Sequence, residues 1–163
     1  GWLWIPLYVF VIAFMVFRWQ NRALLIVFFF LLTGSASDFI SASLVKPAVE
    51  RIRPCNDEQR SLEVQARVEC GRGFSFPSSH ATNHFGIAVF LFLLFGKSLK
   101  RLRYLFLLWA IIISYAQVYV GVHYPFDILA GWVLGTIIAL MMFYLLNFYF
   151  EYFYGKLEVE SSE

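Results

Sequence analysis

The stretch ILAGWVLGTIIALMMFYLLNFYF, residues 128–150, contains no Asp, Glu, Lys or Arg. It is long enough to cross a hydrocarbon layer as a helix, which takes ~20 predominantly apolar residues. His123, Pro125 and Asp127 stand directly before it, so a polar turn leads into the apolar stretch. The sequence therefore predicts a membrane helix that carries chemically useful side chains at its beginning.

Four further blocks are almost free of charge: residues 2–17, 23–45, 73–96 and 104–126. Most of them are long enough to span a bilayer as helices, while the first is short for a full crossing. We predict an all-α fold, a polytopic transmembrane helix bundle with five spans in this chain. A sixth span upstream stays open, because the chain starts with Gly1 rather than Met.

The composition excludes a water-soluble domain. Of the 163 residues, 60% are hydrophobic, 20% aromatic and only 15% charged, whereas about a quarter of an ordinary soluble domain is charged. Aromatic side chains in this number suit lipid-facing helices and membrane interfaces. We therefore divide the chain into one transmembrane domain, residues 1–150, with an outer loop at 46–74, and a cytoplasmic tail at 151–163.

The basic residues of the short loops predict the orientation in the bilayer. Arg18 and Arg22 fall on the same side as the basic loop 97–103 and the tail, and we expect this side to be cytoplasmic. The outer loop and the turn around His123 then share the opposite side. The polar residues of these two segments are therefore expected to meet on one membrane face.

Both cysteines of the chain, Cys55 and Cys70, fall in the outer loop, on the side where disulfides persist. A bridge would close a loop of about 15 residues and stabilise the fold by roughly 3 kcal/mol in the chain-entropy model. Two free thiols are the alternative, because sequence spacing does not fix the geometry that a disulfide needs.

Three polar clusters fall at the outer ends of successive predicted helices. The first is KPAVERIRP, residues 46–54, in which Lys46 and Arg53 are seven positions apart. They share one helix face if the helix continues past Pro47, and two cations at this height match an anionic headgroup. The alternative is that both side chains only snorkel to the interface.

The second cluster is SFPSSH, residues 75–80. It predicts a helix start with Pro77 near the first helical position, where unpaired backbone amides bind phosphate oxygens. A Ser-rich helix cap without a ligand is the alternative. His80 and His84 lie one turn apart, but no third metal ligand is near in sequence, so we expect no metal site.

The third cluster is YVGVHYPFD, residues 119–127. Pro125 breaks the helix, so Asp127 begins the next helix close to His123. A carboxylate at this position can hold one imidazole nitrogen as an N–H donor and leave the other as a neutral nucleophile or base. Alternatively, Asp127 is an ordinary acidic residue at a helix N-terminus.

In order and content the clusters resemble the type 2 phosphatidic acid phosphatase superfamily, whose signature reads K-x6-R-P, then P-S-G-H, then S-R-x5-H-x3-D. Lys46, Arg53 and Pro54 match the first motif. The second and third motifs are matched by Pro77, Ser78, His80, His123 and Asp127. Three positions depart from the pattern, because Ser79 replaces a Gly, and Ala116 and Gln117 stand where the family has Ser and Arg.

The resemblance implies an integral-membrane lipid phosphatase that works through a phosphohistidine, without cofactor or metal. His123, oriented by Asp127, would attack phosphorus, while His80 would protonate the leaving oxygen and then activate water. The implied contacts to the phosphate come from Lys46, Arg53, Ser78, Ser79 and Gln117.

The implied partners are a phosphorylated lipid and the bilayer, with no nucleic acid and no obligatory protein partner. Phosphatidylglycerophosphate, phosphatidic acid, polyprenyl diphosphates and the 1-phosphate of lipid A are substrates within the family, so the lipid stays open. The resemblance also implies a bacterial inner membrane, with the site facing the periplasm or the outside.

Gln117 leaves the activity itself open, because a glutamine carries no charge. It is compatible with an engineered substitution, with a natural variant in which Arg51 or another loop arginine compensates, or with a degenerate member that binds lipid phosphate without turnover. Asp38, inside the second apolar block, is a further functional-site hypothesis. Helix packing by hydrogen bonds is the alternative for this residue.

Overall fold

The computed structural model describes residues 4–58, 64–96 and 98–155. Its long helices are α1 Ile5–Trp19, α2 Ala23–Phe39, α3 Ser79–Leu94, α4 Tyr104–Tyr119 and α5 Pro125–Tyr154. Helix α2 runs on through a π-helix, Ile40–Val45, into a last α-helical turn, Lys46–Val49. Lys97, residues 59–63 of the outer loop, residues 1–3 of the first predicted block and residues 156–163 of the predicted tail lie outside the described residues.

The all-α class is confirmed, and the described residues contain no strand. Three helical stretches are long and apolar enough to cross a membrane: Ile5–Val49, Lys100–Tyr119 and Pro125–Tyr154. The first of these stretches contains both α1 and α2, and α3 is a shorter apolar helix. The predicted number of spans and their orientation therefore stay predictions.

Helix α3 is the central helix of the bundle. Nine of its 16 residues are buried, against three of 16 in α4, so α3 is surrounded by the other helices while much of α4 faces outward. Helix α3 packs most closely on α5, where a Cβ added to Gly135 would lie 2.9 Å from the Gly86 nitrogen. This close approach brings the first turns of α3 and α5 together.

The two ends of the bundle differ in character. At one end, the guanidinium of Arg22 lies 5.9 Å from the ring centre of Tyr154, and Trp19 packs on Phe95 at 5.5 Å. The other end gathers the last turn of α2, the outer loop, the beginning of α3 and the turn between α4 and α5. The three polar clusters of the sequence therefore meet at one end.

Lys46 and Arg53 do not share a helix face, because the continuous helix on which that expectation depended does not reach Arg53. The helix ends at Val49, and Glu50 adopts a left-handed conformation with a φ of 54°. A residue in this conformation cannot continue a right-handed helix and turns the chain away from the helix axis. Arg53 therefore lies in a non-helical loop segment, in extended conformation.

Helix α3 begins later than the Pro77 signal predicts. Its N-cap is Ser78, with a ψ of 112°, and the Ser78 hydroxyl oxygen accepts from the Ala81 amide at 3.4 Å. The Ser78 amide in turn donates to the carbonyl oxygen of Asp127 over 3.1 Å. These bonds hold the chain in an extended conformation up to Ser78. Ser78 is therefore the N-cap of α3, the role that the sequence left as the alternative to phosphate binding.

Candidate active site

Asp127 is the centre of the polar cluster at this end of the bundle, and its side chain is fully buried. Its Oδ1 accepts a hydrogen bond from Arg51 Nη1 at 2.9 Å. Its Oδ2 accepts from the Ser75 hydroxyl and from the Tyr124 amide, the latter at 2.9 Å. A buried carboxylate is stable only with such partners, so this network keeps Asp127 ionised and fixed in orientation.

His123 lies beside this carboxylate, with Nδ1 3.5 Å from Asp127 Oδ2. Burial lowers the pKa of His123, the hydrogen bond with Asp127 opposes that effect, and the positive charge of Arg53 lowers the pKa further. The net shift is downward, so the imidazole is neutral at neutral pH. The His123 amide also donates to the carbonyl oxygen of Gln117 over 3.3 Å, which fixes the turn that carries the ring.

Arg53 occupies the other side of the imidazole, with Nη1 3.4 Å from His123 Nε2. Its guanidinium is held by the carbonyl oxygens of Gly73 and Val122, at 3.3 and 3.4 Å. Burial lowers the pKa of Arg53 and Asp127 raises it, but a guanidinium stays protonated and can only donate. The contact therefore fits an imidazole with its proton on Nδ1 and a lone pair on Nε2 that accepts from Arg53 Nη1.

The outer loop places both arginines. Cys55 and Cys70 form a disulfide with 5.9 Å between their Cα atoms, so of the two alternatives left by the sequence the structure contains the bridge. The Ser75 amide donates to the carbonyl oxygen of Arg51 over 2.7 Å. These connections return the loop to the helix ends, where Arg51 and Ser75 both reach Asp127.

Lys46 and His80 complete the cluster from two further helix ends. His80 lies in the first turn of α3 with an exposed side chain, close enough to His123, Lys46 and Arg53 for their charges to interact. Lys46 lies in the last turn of α2 and interacts electrostatically with Arg53 and Asp127. Lys46, Arg53, His80 and His123 therefore lie close together at this end of the bundle, and the two cations would attract an anion there.

The remaining predicted site residues contribute chiefly through the backbone. The Ser78 amide is bonded to Asp127 and is not free for a ligand. Ser79 is the first residue of α3, so its amide has no intrahelical partner, and its buried hydroxyl has none among the described residues. Gln117 gives its carbonyl oxygen to the amides of Val122 and His123.

Sequence reasoning missed two residues of the network. Ser75 was visible only as part of a Ser-rich helix start, and Arg51 only as a loop arginine that compensates for Gln117. The structure shows that Arg51 pairs with Asp127 and stacks over the Tyr124 ring at 4.2 Å. In the described part of the chain, no group of three or more His, Cys, Asp or Glu side chains is arranged to hold a metal ion.

Comparison with known proteins connects this arrangement to a family. The model of the PAP2 superfamily matches residues 22–151. The chain is 38% identical over 137 residues to a lipid A 4'-phosphatase of Bacteroides thetaiotaomicron, a match that covers 82% of this chain and 60% of that protein. It is 31% identical over 140 residues to an undecaprenyl-diphosphatase of Sulfolobus acidocaldarius, covering 85% of this chain and 61% of the relative.

A solved structure is similar over nearly the whole chain. It is the crystal structure of a transmembrane PAP2-type phosphatidylglycerolphosphate phosphatase from Bacillus subtilis, with a TM-score of 0.64 and 26% sequence identity. The similarity covers 94% of this chain and 71% of that one. The chain spans about 60% of the length of the curated relatives described above.

Proposed function

The chain belongs to the PAP2 superfamily, and we propose that it is an integral-membrane lipid phosphatase that hydrolyses a phosphate ester through a phosphohistidine. The observation that carries this proposal is the environment of His123. Its Nδ1 faces the carboxylate of Asp127 at 3.5 Å, and its Nε2 faces the guanidinium of Arg53 at 3.4 Å. This arrangement suits a neutral nucleophile aimed at a bound anion.

The first step of the proposed reaction is an in-line attack of His123 Nε2 on phosphorus. The new bond joins Nε2 to phosphorus, and the bond from phosphorus to the ester oxygen breaks. His80 gives its proton to the leaving oxygen, so the lipid leaves as an alcohol. The imidazole gains positive charge during the attack, and Asp127 stabilises that charge because it lies beside Nδ1.

The second step releases phosphate and restores the protein. His80, now neutral, takes a proton from a water molecule, and the oxygen of that water attacks phosphorus. The bond between phosphorus and His123 Nε2 breaks, and phosphate leaves. Throughout both steps the phosphate oxygens carry negative charge, and the proposal assigns its stabilisation to Arg53, Lys46 and the backbone amide of Ser79.

No metal or cofactor takes part in the proposed reaction. The positive charge at the site comes from Lys46 and Arg53, whose charges interact with each other and with His80. Stabilisation of the equatorial oxygens is the main demand of phosphoryl transfer, and fixed cations can meet it. The proposal therefore predicts that a chelator does not change turnover.

A second candidate function is lipid-phosphate binding without turnover. It is favoured by the absence of a cation at Gln117, because Arg51, the nearest replacement suggested by the sequence, is bonded to Asp127. A site with one cation fewer still attracts phosphate but stabilises the transition state less. On this alternative, Gln117→Arg creates or increases activity.

The test measures phosphate release by the purified protein from a panel of lipid phosphates, with and without a chelator. Release that is unaffected by the chelator and lost in His123→Ala is expected. His80→Ala is the matched comparison, since it should slow turnover while a phosphoenzyme still forms and accumulates. Near-normal turnover in His123→Ala contradicts the covalent mechanism. No release by the protein as it stands, with release gained in Gln117→Arg, supports binding without turnover, whereas no release from any lipid by either protein contradicts the phosphatase proposal.

A further inference from the structure

A cavity of about 530 Å³ opens between α1, α2 and α3, next to His80. Its volume falls in the range of small-molecule binding sites, roughly 300–1,000 Å³. One part of its wall is apolar, formed by Phe30, Leu31 and Ile87. Another part carries Asp38 and Asn83, so the cavity combines a surface for hydrocarbon with a surface for polar groups.

Asp38 is the acidic side chain of the second apolar block, and it is exposed where it lines the cavity. Its Oδ1 accepts a hydrogen bond from Asn83 Nδ2 at 2.9 Å. In the described part of the chain, its Oδ2 has no hydrogen-bond partner. An ionisable group within a membrane helix is costly and is retained mainly where it has a function.

The hydrogen bond from Asn83 to Asp38 leaves the side-chain oxygen of Asn83 without a partner within the residues that the structure describes. A carboxylate can only accept, so the amide nitrogen of Asn83 must face Asp38 and the amide oxygen must face away. That oxygen is buried and has no partner among the described residues. A buried amide oxygen without a partner destabilises the fold, which argues that the bond from Asn83 to Asp38 serves a ligand rather than stability.

The cavity lies where the proposed reaction places the leaving group. His80 protonates the leaving oxygen in that reaction, and His80 lines the same cavity as Asp38. Asn83 follows His80 by three residues along α3, so the pair lies about one helical turn from the imidazole. A lipid bound with its ester oxygen at His80 would have the adjoining part of its headgroup near Asp38 and its hydrocarbon chains near Phe30 and Leu31.

We propose that Asp38, positioned by Asn83, is a specificity site for lipid phosphomonoesters whose leaving alcohol carries hydroxyl or amide N–H groups, such as a phosphorylated sugar lipid. This inference rests on the proposed phosphatase function and names the substrate class of the same site. The free Oδ2 of Asp38 accepts a hydrogen bond from such a donor. A sugar or polyol headgroup offers donors close to the ester oxygen, where the carboxylate lies.

The same carboxylate disfavours two other classes of lipid. When a polyprenyl diphosphate is hydrolysed, the leaving group is a polyprenyl phosphate anion rather than an alcohol, and Asp38 repels that anion next to His80. The hydrocarbon of the prenyl chain offers no hydrogen-bond donor, so it leaves Oδ2 of Asp38 without a hydrogen-bond partner. Phosphatidic acid presents ester carbonyl oxygens, which are acceptors and cannot bond to an acceptor. Sites that bond a substrate hydroxyl reject analogues without one strongly.

The test compares phosphate release from two probes in detergent: an N-acylated, O-acylated glucosamine phosphate and a polyprenyl diphosphate. For each variant, the ratio of the two kcat/KM values is measured. Asp38→Asn and Asp38→Leu are expected to lower the ratio of sugar lipid to polyprenyl lipid by roughly 10- to 100-fold. Asn147→Leu, an amide on α5 outside the cavity, is the matched control and should change the ratio by less than about twofold.

Binding of both probes to His123→Ala, which is designed not to turn over, provides a second readout. The sugar lipid should bind more tightly than the polyprenyl diphosphate, and this preference should be lost when Asp38→Asn is added. Failure of the phosphatase function removes turnover of both probes but leaves the binding preference measurable. A preference that is the same with and without the Asp38 carboxylate, in turnover or in binding, overturns the specificity site.

Discussion

Arg51 and Asp127 form an ion pair, with 2.9 Å between Nη1 and Oδ1, although the two residues are 76 positions apart. The Arg51 guanidinium also lies over the Tyr124 ring at 4.2 Å, which fixes its direction. Asp127 thus has its charge balanced on one oxygen, while the other oxygen faces His123 and Ser75. The outer loop and the turn before α5 are joined through this carboxylate.

Arg51→Gln is expected to lower kcat roughly tenfold, with a smaller effect on KM. Loss of one partner leaves the buried carboxylate of Asp127 without its cation, and it then holds His123 less firmly. The effect stays moderate, because the Arg51 side chain is 36% exposed and water screens part of its charge. The matched control is Arg67→Gln, since Arg67 lies over Tyr119 at 4.7 Å in the same loop. Equal losses in both variants would count against a specific role of the ion pair.

Ser75→Ala tests the second partner of Asp127. The Ser75 hydroxyl donates to Oδ2 and lies 3.5 Å from His123 Nδ1, so its removal lets the carboxylate turn away from the imidazole. We expect kcat to fall about 3- to 10-fold, in line with about 1 kcal/mol for a hydrogen bond.

Ser114→Ala provides the comparison for Ser75→Ala. Ser114 is also a buried serine, but it bonds to the Ala110 carbonyl oxygen and accepts from Trp132, away from the site. It should lower the thermal stability while kcat stays within about twofold. If the two variants affect kcat and the melting temperature in the same proportion, the role of Ser75 is structural only.

The sequence predicted the parts of the site that depend on local geometry. His123 and Asp127 are four residues apart across a proline, so their proximity follows from the turn itself. Ser75 and Arg51 reach the same carboxylate from 52 and 76 residues away, and no sequence period encodes such a register. Long-range pairs of this kind are fixed by how the helices pack, which the sequence pattern does not contain.

The fold was predictable for a similar reason. Charge-free blocks identify the apolar helices, because hydrocarbon tolerates few charged side chains whatever the packing partners are. The ends of helices were harder to predict. Glu50 ends the extension of α2 in a left-handed conformation that its residue type does not predict. Helix α3 begins only after Ser78, whose amide is bonded to the carbonyl oxygen of Asp127.

The pH dependence follows from the direction of the pKa shift at His123. Attack needs the neutral imidazole, and burial together with Arg53 lowers the pKa of His123 below its usual value of 6.5. The acid limb of kcat/KM should therefore lie below pH 6.5. Arg53→Gln removes a positive charge, so the pKa of His123 rises and the acid limb moves to higher pH.

This shift separates the effect of Arg53 on His123 from its contact with phosphate. Loss of the phosphate contact lowers kcat/KM at every pH, whereas the change in the pKa of His123 moves the position of the limb. Arg72→Gln is the control, because Arg72 lies in the same loop and is an exposed arginine. An acid limb that stays in place in Arg53→Gln would show that another group controls it.

Gly135→Ala is expected to lower the stability of the bundle clearly more than Gly34→Ala, which adds the same methyl group to another helix. The new Cβ would lie 2.5 Å from the Thr82 carbonyl oxygen and 2.9 Å from the Gly86 nitrogen, which are backbone atoms that cannot turn away. Overpacking of this kind costs about 1–3 kcal/mol, so the melting temperature should fall by roughly 3–10 °C. Activity should fall with it, since the contact between α3 and α5 sets the distance from Ser78 to Asp127.

In Gly34→Ala the added Cβ meets only the Ile87 side chain at 3.4 Å, and a small change is expected. Similar melting temperatures for the two variants would mean that α3 and α5 separate without cost, contrary to the packing argument.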